Sequence, residues 1–246
     1  MKKHEEIADS LARDILTGQY RVGERLPSER DLSSRFDANR GAVREAMKKL
    51  EQLGIAEIQP GGARVQPLSE ASLDVIGYLL ALSDTPNRDL VDQIMVVISS
   101  LVRTAIVAAL SRGDAGVDGE IVGKLREVIR PIWAEELDTE SYFEVQTEMF
   151  RGIMEASGNL PVQLIAKSLL EQFAPQMEPL RDHIVLDMGT HRALARTMDE
   201  ALESMDLNRV LASFAEASKF HRERMQKAFD AFEAAAQTTQ LEAAAS

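Results

Sequence analysis

LPSERDLSSRFDANRGAVREAMKKLEQLGIAEIQPGGARV, residues 26–65, decides how the N-terminal part of the chain is read. Behind Pro27, Ser28 and Asp31 stand in the S-x-x-D spacing of a capping box, so a helix starts at Ser28 and runs through Leu32 to about Phe36. The segment from Asp37 to Asn39 breaks it, and Asn39 is a good N-cap for a second helix. Val43, Met47, Leu50 and Leu53 recur there at helical spacing until Gly54 stops it. Ile55 to Gln59 and Ala63 to Gln66 are short extended runs joined by Pro60-Gly61-Gly62, which is hairpin chemistry. Upstream, Ile7, Leu11, Ile15 and Leu16 form the apolar stripe of a first helix that ends at Gly18 and completes a small core. This order of parts predicts a helix-turn-helix of three helices with a two-stranded wing over residues 1–66.

The second helix of the pair carries recognition chemistry. Arg40 and Arg44 lie one turn apart on one face, with Asn39 at the tip. A guanidinium suits guanine O6 and N7, an Asn amide suits adenine N6 and N7, and the free N–H groups of a helix N-terminus suit a phosphate. Gly41 places no side chain between the arginines, so the backbone can approach a duplex closely. Each signal alone is common on a solvated helix. Their order points to sequence-specific binding of double-stranded DNA.

The same stretch resembles the winged-helix domain of GntR-type bacterial transcription regulators. The resemblance rests on Ile15 to Gly18, Gly23, Leu26 to Leu32, Asn39-Arg40, Val43 to Ala46, Leu50, Leu53-Gly54 and Gly61-Gly62. It implies that Arg30, Arg40 and Arg44 contact bases or phosphates, that Asn39 and Gly41 lie at the helix tip, and that Gly61 carries the wing into the minor groove. Positions 39 and 41 depart from the family, where Ser or Thr is frequent, so hydroxyl contacts to phosphate are lost here.

At 246 residues and 45% hydrophobic content the chain has material for two domains. Its net charge of −12 is unevenly spread: residues 1–66 hold 12 Lys+Arg against 11 Asp+Glu, and the remainder 16 against 29. The acidity lies outside the reading head and does not argue against DNA binding. The absence of Cys excludes disulfides and thiolate metal sites and fits a reducing compartment. MKKHEEIADS lacks the apolar core of a signal peptide. The longest apolar region, Gln93 to Leu110, is interrupted by Ser99, Ser100 and Arg103 and reads as a bundle helix, not a membrane span. A cytoplasmic bacterial protein, at the nucleoid when bound to DNA, is expected.

Beyond a linker at 67–69, the period is helical throughout. Helices are predicted at about 70–82, 87–111, 119–133, 139–156, 161–178, 180–203 and 207–235, with Pro131, Gly158 to Pro161, Pro175 and Pro179 as punctuation and a flexible tail at 236–246. The fold class is mainly α: a winged helix-turn-helix followed by an all-α bundle at 70–235 for effector binding and dimerisation. No enzyme is expected, because G-x-x-x-x-G-K-[ST], G-x-G-x-x-G after a strand, H-E-x-x-H and G-x-S-x-G are all missing. Of the four histidines, His183, His191 and His221 fall in the bundle, where facing helices can bind a metal, but none has a His partner at i, i+4.

The bundle resembles the helical domain of GntR regulators of the FadR group, through Phe150 to Asn159 with its Gly-Asn stop. Members of that group that sense organic acids carry a metal-ligating Asp and His where this chain has Gln146 and Phe150, and an Arg where it has Ile98. An amide and a phenyl ring do not replace a carboxylate and an imidazole on a hard cation, so no metal is expected. The resemblance to the fatty-acid-responsive member, which includes Arg224 to Lys227, implies a long-chain acyl-CoA as effector. Ligand contacts of its last helix fall on Ala215, Ser218, Arg222 and Lys227 here, of which Ser and Lys are kept. Arg222 and Lys227 suit phosphates, and Phe150, Met154 and Phe214 suit an apolar tunnel, although such rings are equally ordinary core. The expectation is a homodimeric, effector-responsive repressor on a pseudo-palindromic operator. Two alternatives stay open. One is a small organic-acid sensor with a metal site rebuilt around His191 or His221. The other joins a DNA-binding head to an interaction module or divergent catalytic domain.

Overall fold

The apolar stripe at Ile7, Leu11 and Ile15 makes Lys3–Leu16 a helix, α1, that buries one face completely. In this computed structural model, which describes residues 2–83, 85–111, 118–134, 139–184 and 187–244, two compact units are resolved. The first comprises residues 1–87 with 168–177, and the second residues 88–167 with 178–246.

In the first unit, α2 (Glu29–Arg35) and α3 (Arg40–Gln52) follow α1, and β1 (Ala56–Gln59) pairs antiparallel with β2 (Gly62–Val65) in the register Ala56 to Val65. Ser28 caps α2 by accepting from the Asp31 N–H. The intervening turn places Asp37 at φ 46°, a left-handed conformation that a short polar side chain tolerates better than a branched one. Leu32, Val43, Leu50, Leu53 and Ile55 close one core with the α1 stripe. Buried Asp14 of α1 accepts from Arg35 of α2 at 2.8 Å, so this buried carboxylate is paired.

The compact unit extends past the expected boundary at 66. Residues 68–70 form a 3-10 turn, and α4 (Val75–Leu80) packs on α1 with Val75 inside the same core. Tyr78 donates its hydroxyl to Asp9 at 3.0 Å, and Arg13 donates to the carbonyls of Ala81 and Leu82. The expected linker and first effector helix are thus held by long-range contacts to α1 that periodicity does not reveal. Residues 168–177 belong to this unit as well, with the Gln172 carboxamide against Gly77.

The second unit is helical: α5 (Arg88–Leu110), α6 (Gly119–Ala134), α7 (Thr139–Ser157), the first half of α8 (Leu160–Phe173), α9 (Met188–Glu203) and α10 (Leu207–Ala244). Helix α6 packs on α7 and α9, and α5 on α7 and α10. Val102, Ile106, Leu125, Ile129, Met154 and Leu202 are part of their shared core. Helix α5 is long and apolar enough to cross a membrane, with a mean hydropathy of 1.9; here Val91, Ile94, Val102 and Ile106 are buried, the last two in the bundle core.

Three further boundaries differ from those predicted. Helix α8 stops at Phe173 and residues 174–183 run as 3-10 turns, because Pro175 and Pro179 lack the N–H that an α-helix needs. Helix α9 begins only at Met188, where Asp187 caps it through Thr190. Helix α10 continues to Ala244 through the stretch expected to be a flexible tail, where Ala, Gln, Leu and Glu are good helix formers and neither Gly nor Pro intervenes.

Candidate nucleic-acid interface and effector site

At the tip of α3 the carboxamide oxygen of Asn39 accepts from the Ala42 N–H at 2.9 Å. That bond uses one of the two groups a bidentate contact to adenine requires and leaves the amide donor. A Cβ on Gly41 would lie 3.1 Å from the same oxygen, so this glycine keeps the cap uncrowded as well as the backbone bare. Arg40 is exposed and makes no hydrogen bond or ion pair among the described residues. Arg44, one turn on, gives its Nε to both carboxylate oxygens of Glu29 at 2.9 and 3.0 Å, which raises its pKa and points it from the side of α2. Arg30 is 84% exposed, with Asp31 no nearer than 3.9 Å. Asp31 in turn accepts from the Ser28 hydroxyl at 2.6 Å, which lowers its pKa. Arg30, Asn39, Arg40, Gly41 and Arg44 therefore all stand at the solvent side of the helix pair.

The wing turns at Pro60-Gly61, with Gly61 and Gly62 at φ 99° and 134°. Sequence reasoning missed that residues 23–26 run beside β2: the N–H groups of Gly23 and Leu26 donate to Val65 and Ala63, and Val65 donates to Glu24. The alternation of exposed Arg25 and buried Leu26 was the available signal.

In the helical unit, Phe150, Met154 and Phe214 pack in one core, with Met154 fully within it. Ser218 is half-buried and Lys227 exposed. Arg222 is held by Asp92 of α5 through Nε and Nη2, at 3.0 and 2.8 Å, so its charge is already paired. The residue overlooked was Arg224. Its Nη1 lies 2.8 Å from Nε2 of His191, a side chain only 3% exposed. A guanidinium only donates, so His191 is neutral with its proton on Nδ1.

His221, one turn before Arg224, stacks on His191 with ring centroids 5.6 Å apart, and Phe220 meets His191 edge-on. Burial, then Arg224, pulls His191 down to about 4. Burial, then Arg224 and His191, pulls His221 down to about 3. Arg224 has no carboxylate partner among the described residues, so the cluster is a half-buried fixed cation against a stacked pair of neutral rings, suited to an anion. It also occupies the lone pair His191 would offer a metal, and no group of three potential ligands converges among the described residues. The i, i+3 spacing of His221 and Arg224 was the sequence signal.

A capped helix pair with a free arginine at the second helix's tip, backed by a glycine-turned wing, defines a winged helix-turn-helix. Residues 3–65 match the bacterial regulatory proteins of the gntR family, and this stretch is a GntR-family helix-turn-helix domain. Among relatives, the HTH-type transcriptional regulator Mce2R of Mycobacterium tuberculosis is 46% identical over 57 residues, 23% of this chain and 24% of that protein. The chain thus spans about a quarter of the length of the first curated relatives it matches. YieP of Escherichia coli, an uncharacterized HTH-type transcriptional regulator, is 26% identical over 76% of this chain and 82% of its own. The fatty acid metabolism regulator protein of Pectobacterium carotovorum is 28% identical over 65% and 64%. Among solved structures, Lar of Listeria monocytogenes, described as controlling the agr system and mediating virulence, aligns over 94% of this chain and 98% of its own, with a TM-score of 0.53 at 16% identity. That likeness concerns the fold alone.

Proposed function

We propose that this GntR-type chain is a cytoplasmic, ligand-responsive transcription regulator that binds a pseudo-palindromic operator as a homodimer and acts as a repressor. The observation that carries the DNA reading is the exposed N-terminal turn of α3, where Arg40 has no side-chain partner among the described residues and Arg44 is aimed by Glu29. Arg30, Asn39, Arg40, Gly41 and Arg44 form the major-groove surface, and Gly61 leads the wing. Arg40→Ala should lower affinity for a selected operator by about tenfold or more, the scale of one lost bidentate base contact, with the bundle still folded. Unchanged binding in an anisotropy titration would remove Arg40 from the interface.

For the effector we propose an organic anion with an apolar tail, of the fatty acyl-CoA class, with Arg224 as the anchor and with Phe150, Met154, Phe214 and Ser218, the last two about 15 and 9 Å back along α10, on the side of the tail. Support comes from the cation held against His191 of the stacked imidazole pair and from the similarity to a fatty acid metabolism regulator. Lys227 is the remaining phosphate partner, while Arg222 serves only if Asp92 releases it. The compactness of the His191–His221–Arg224 cluster favours a second reading, a small organic acid held without a metal. Native mass spectrometry of gently purified protein separates the two by the mass retained.

A further inference from the structure

The wing needs a cation to enter a groove lined by phosphates, and its own is occupied. Residues 56–65 contain one acid, Glu57, and one base, Arg64. Arg64 is turned back to donate to the carbonyl of Gly23 at 2.9 Å. The charge at the tip comes from outside the hairpin. Arg25 forms a bridge with Arg64 across the strand edge, and its neighbour Leu26 is buried, so alternation sends Arg25 to the opposite, solvent side.

The guanidinium then lies along the Gly61-Gly62 backbone. A Cβ on Gly62 would come within 2.8 Å of its Nε and 3.2 Å of its Nη2, and a Cβ on Gly61 within 3.6 Å of Nη2. The two glycines thus do more than turn the chain; they clear the bed on which the arginine rests. Among the described residues Arg25 has no hydrogen bond or ion pair, whereas Arg13, Arg35, Arg44 and Lys48 of the same unit are all engaged.

From this geometry we infer that Arg25 is the wing's DNA-contacting side chain, inserted in the minor groove beside the segment read by α3 and selecting an A·T-rich flank. A narrow A·T minor groove concentrates negative potential and attracts an inserted arginine, and the wing backbone at Gly61-Gly62 adds little bulk beside it. The inference rests on the DNA reading above and adds a specificity element to it.

The test uses the full chain and an operator selected from random duplexes, with A·T-rich and G·C-rich flanking versions, titrated between about 50 and 200 mM salt. Wild type should prefer the A·T flank. Arg25→Ala should lose about tenfold on that operator, lower the salt slope by about 1, and bind both flanks alike, with its melting temperature unchanged. Arg25→Lys should restore the slope but not the flank preference. If Arg25→Ala, or Arg25→Gln should the alanine variant melt early, keeps the wild-type slope and flank ratio, the inference is wrong while the DNA reading stands. A loss of affinity with both quantities unchanged also overturns it, because that is what a structural role gives. Failure of the wild-type chain to select any sequence overturns the DNA reading itself.

Discussion

Asn39 commits its carboxamide oxygen to the first turn of α3, so its effects on stability and on recognition separate by chemistry. Asn39→Ala should cost about 1 kcal/mol in urea denaturation through loss of the cap. Asn39→Asp keeps the acceptor, and should hold stability while weakening DNA binding by removing the amide donor and adding negative charge. If both variants bind the operator as wild type does, the amide faces no DNA. His191 and His221 carry a pH signature. Both are pulled below the ordinary imidazole value, so below about pH 6.5 the unfolded chain takes up protons that the native state refuses. Their contribution is fully present above that pH and is lost as pH falls toward about 4, where His191 itself protonates. His191→Gln should flatten this dependence by up to about 1.4 kcal/mol per pH unit, read from urea midpoints at about pH 7 and about pH 5. A parallel decline in the variant would mean that His191 protonates freely in the folded chain.

At the scale of elements, α10 divides its cations between two duties. Arg222 and Arg88 tie it to α5, the first by a two-point pair with Asp92, the second by bonding Gln226 and Asp230 across from its own helix. Arg224 instead meets α9 through His191. Asp92→Asn should therefore cost about 1 kcal/mol of bundle stability, modest because the pair is partly solvated, and leave the effector response intact. Arg224→Met should abolish the response to effector in a DNA-release titration without changing affinity in its absence. A response kept with Arg224→Met and lost with Arg222→Met would move the anchor to Arg222. The hairpin and the turn before α3 were legible because their residues act locally: Asn39 on Ala42, and Pro60 to Gly62 on the chain reversal. Arg222 and Asp92 stand 130 residues apart, and no spacing rule pairs them.

For the whole molecule, a two-fold operator requires a two-fold protein, with half-sites about one helical turn of DNA apart or multiples of it. Sedimentation equilibrium should give a dimer of the 27.2 kDa chain, and footprinting should show two protected half-sites related by a dyad. A monomer protecting one half-site would remove the palindrome from the proposal. On the proposed DNA reading the uneven charge acts at this scale, since the acidic residues beyond 66 would discourage indiscriminate contact with DNA and leave binding to the head.

Residues within about one turn of each other determined what the sequence alone could say. Ser28, Asn39 and Gly54 mark helix ends, the spacing of Ile7, Leu11 and Ile15 sets a buried face, and Gly61-Gly62 sets a reversal. Such preferences act through the backbone at short range and survive in any surroundings. Tertiary structure alone decided that Val75 and Tyr78 join the head, that Arg25 lies on the wing's glycines, and that Arg224, unlike Arg222, meets His191 and no carboxylate among the described residues. Those outcomes depend on which distant side chain arrives to neutralise, cover or bond a group, and that is settled only when the elements pack.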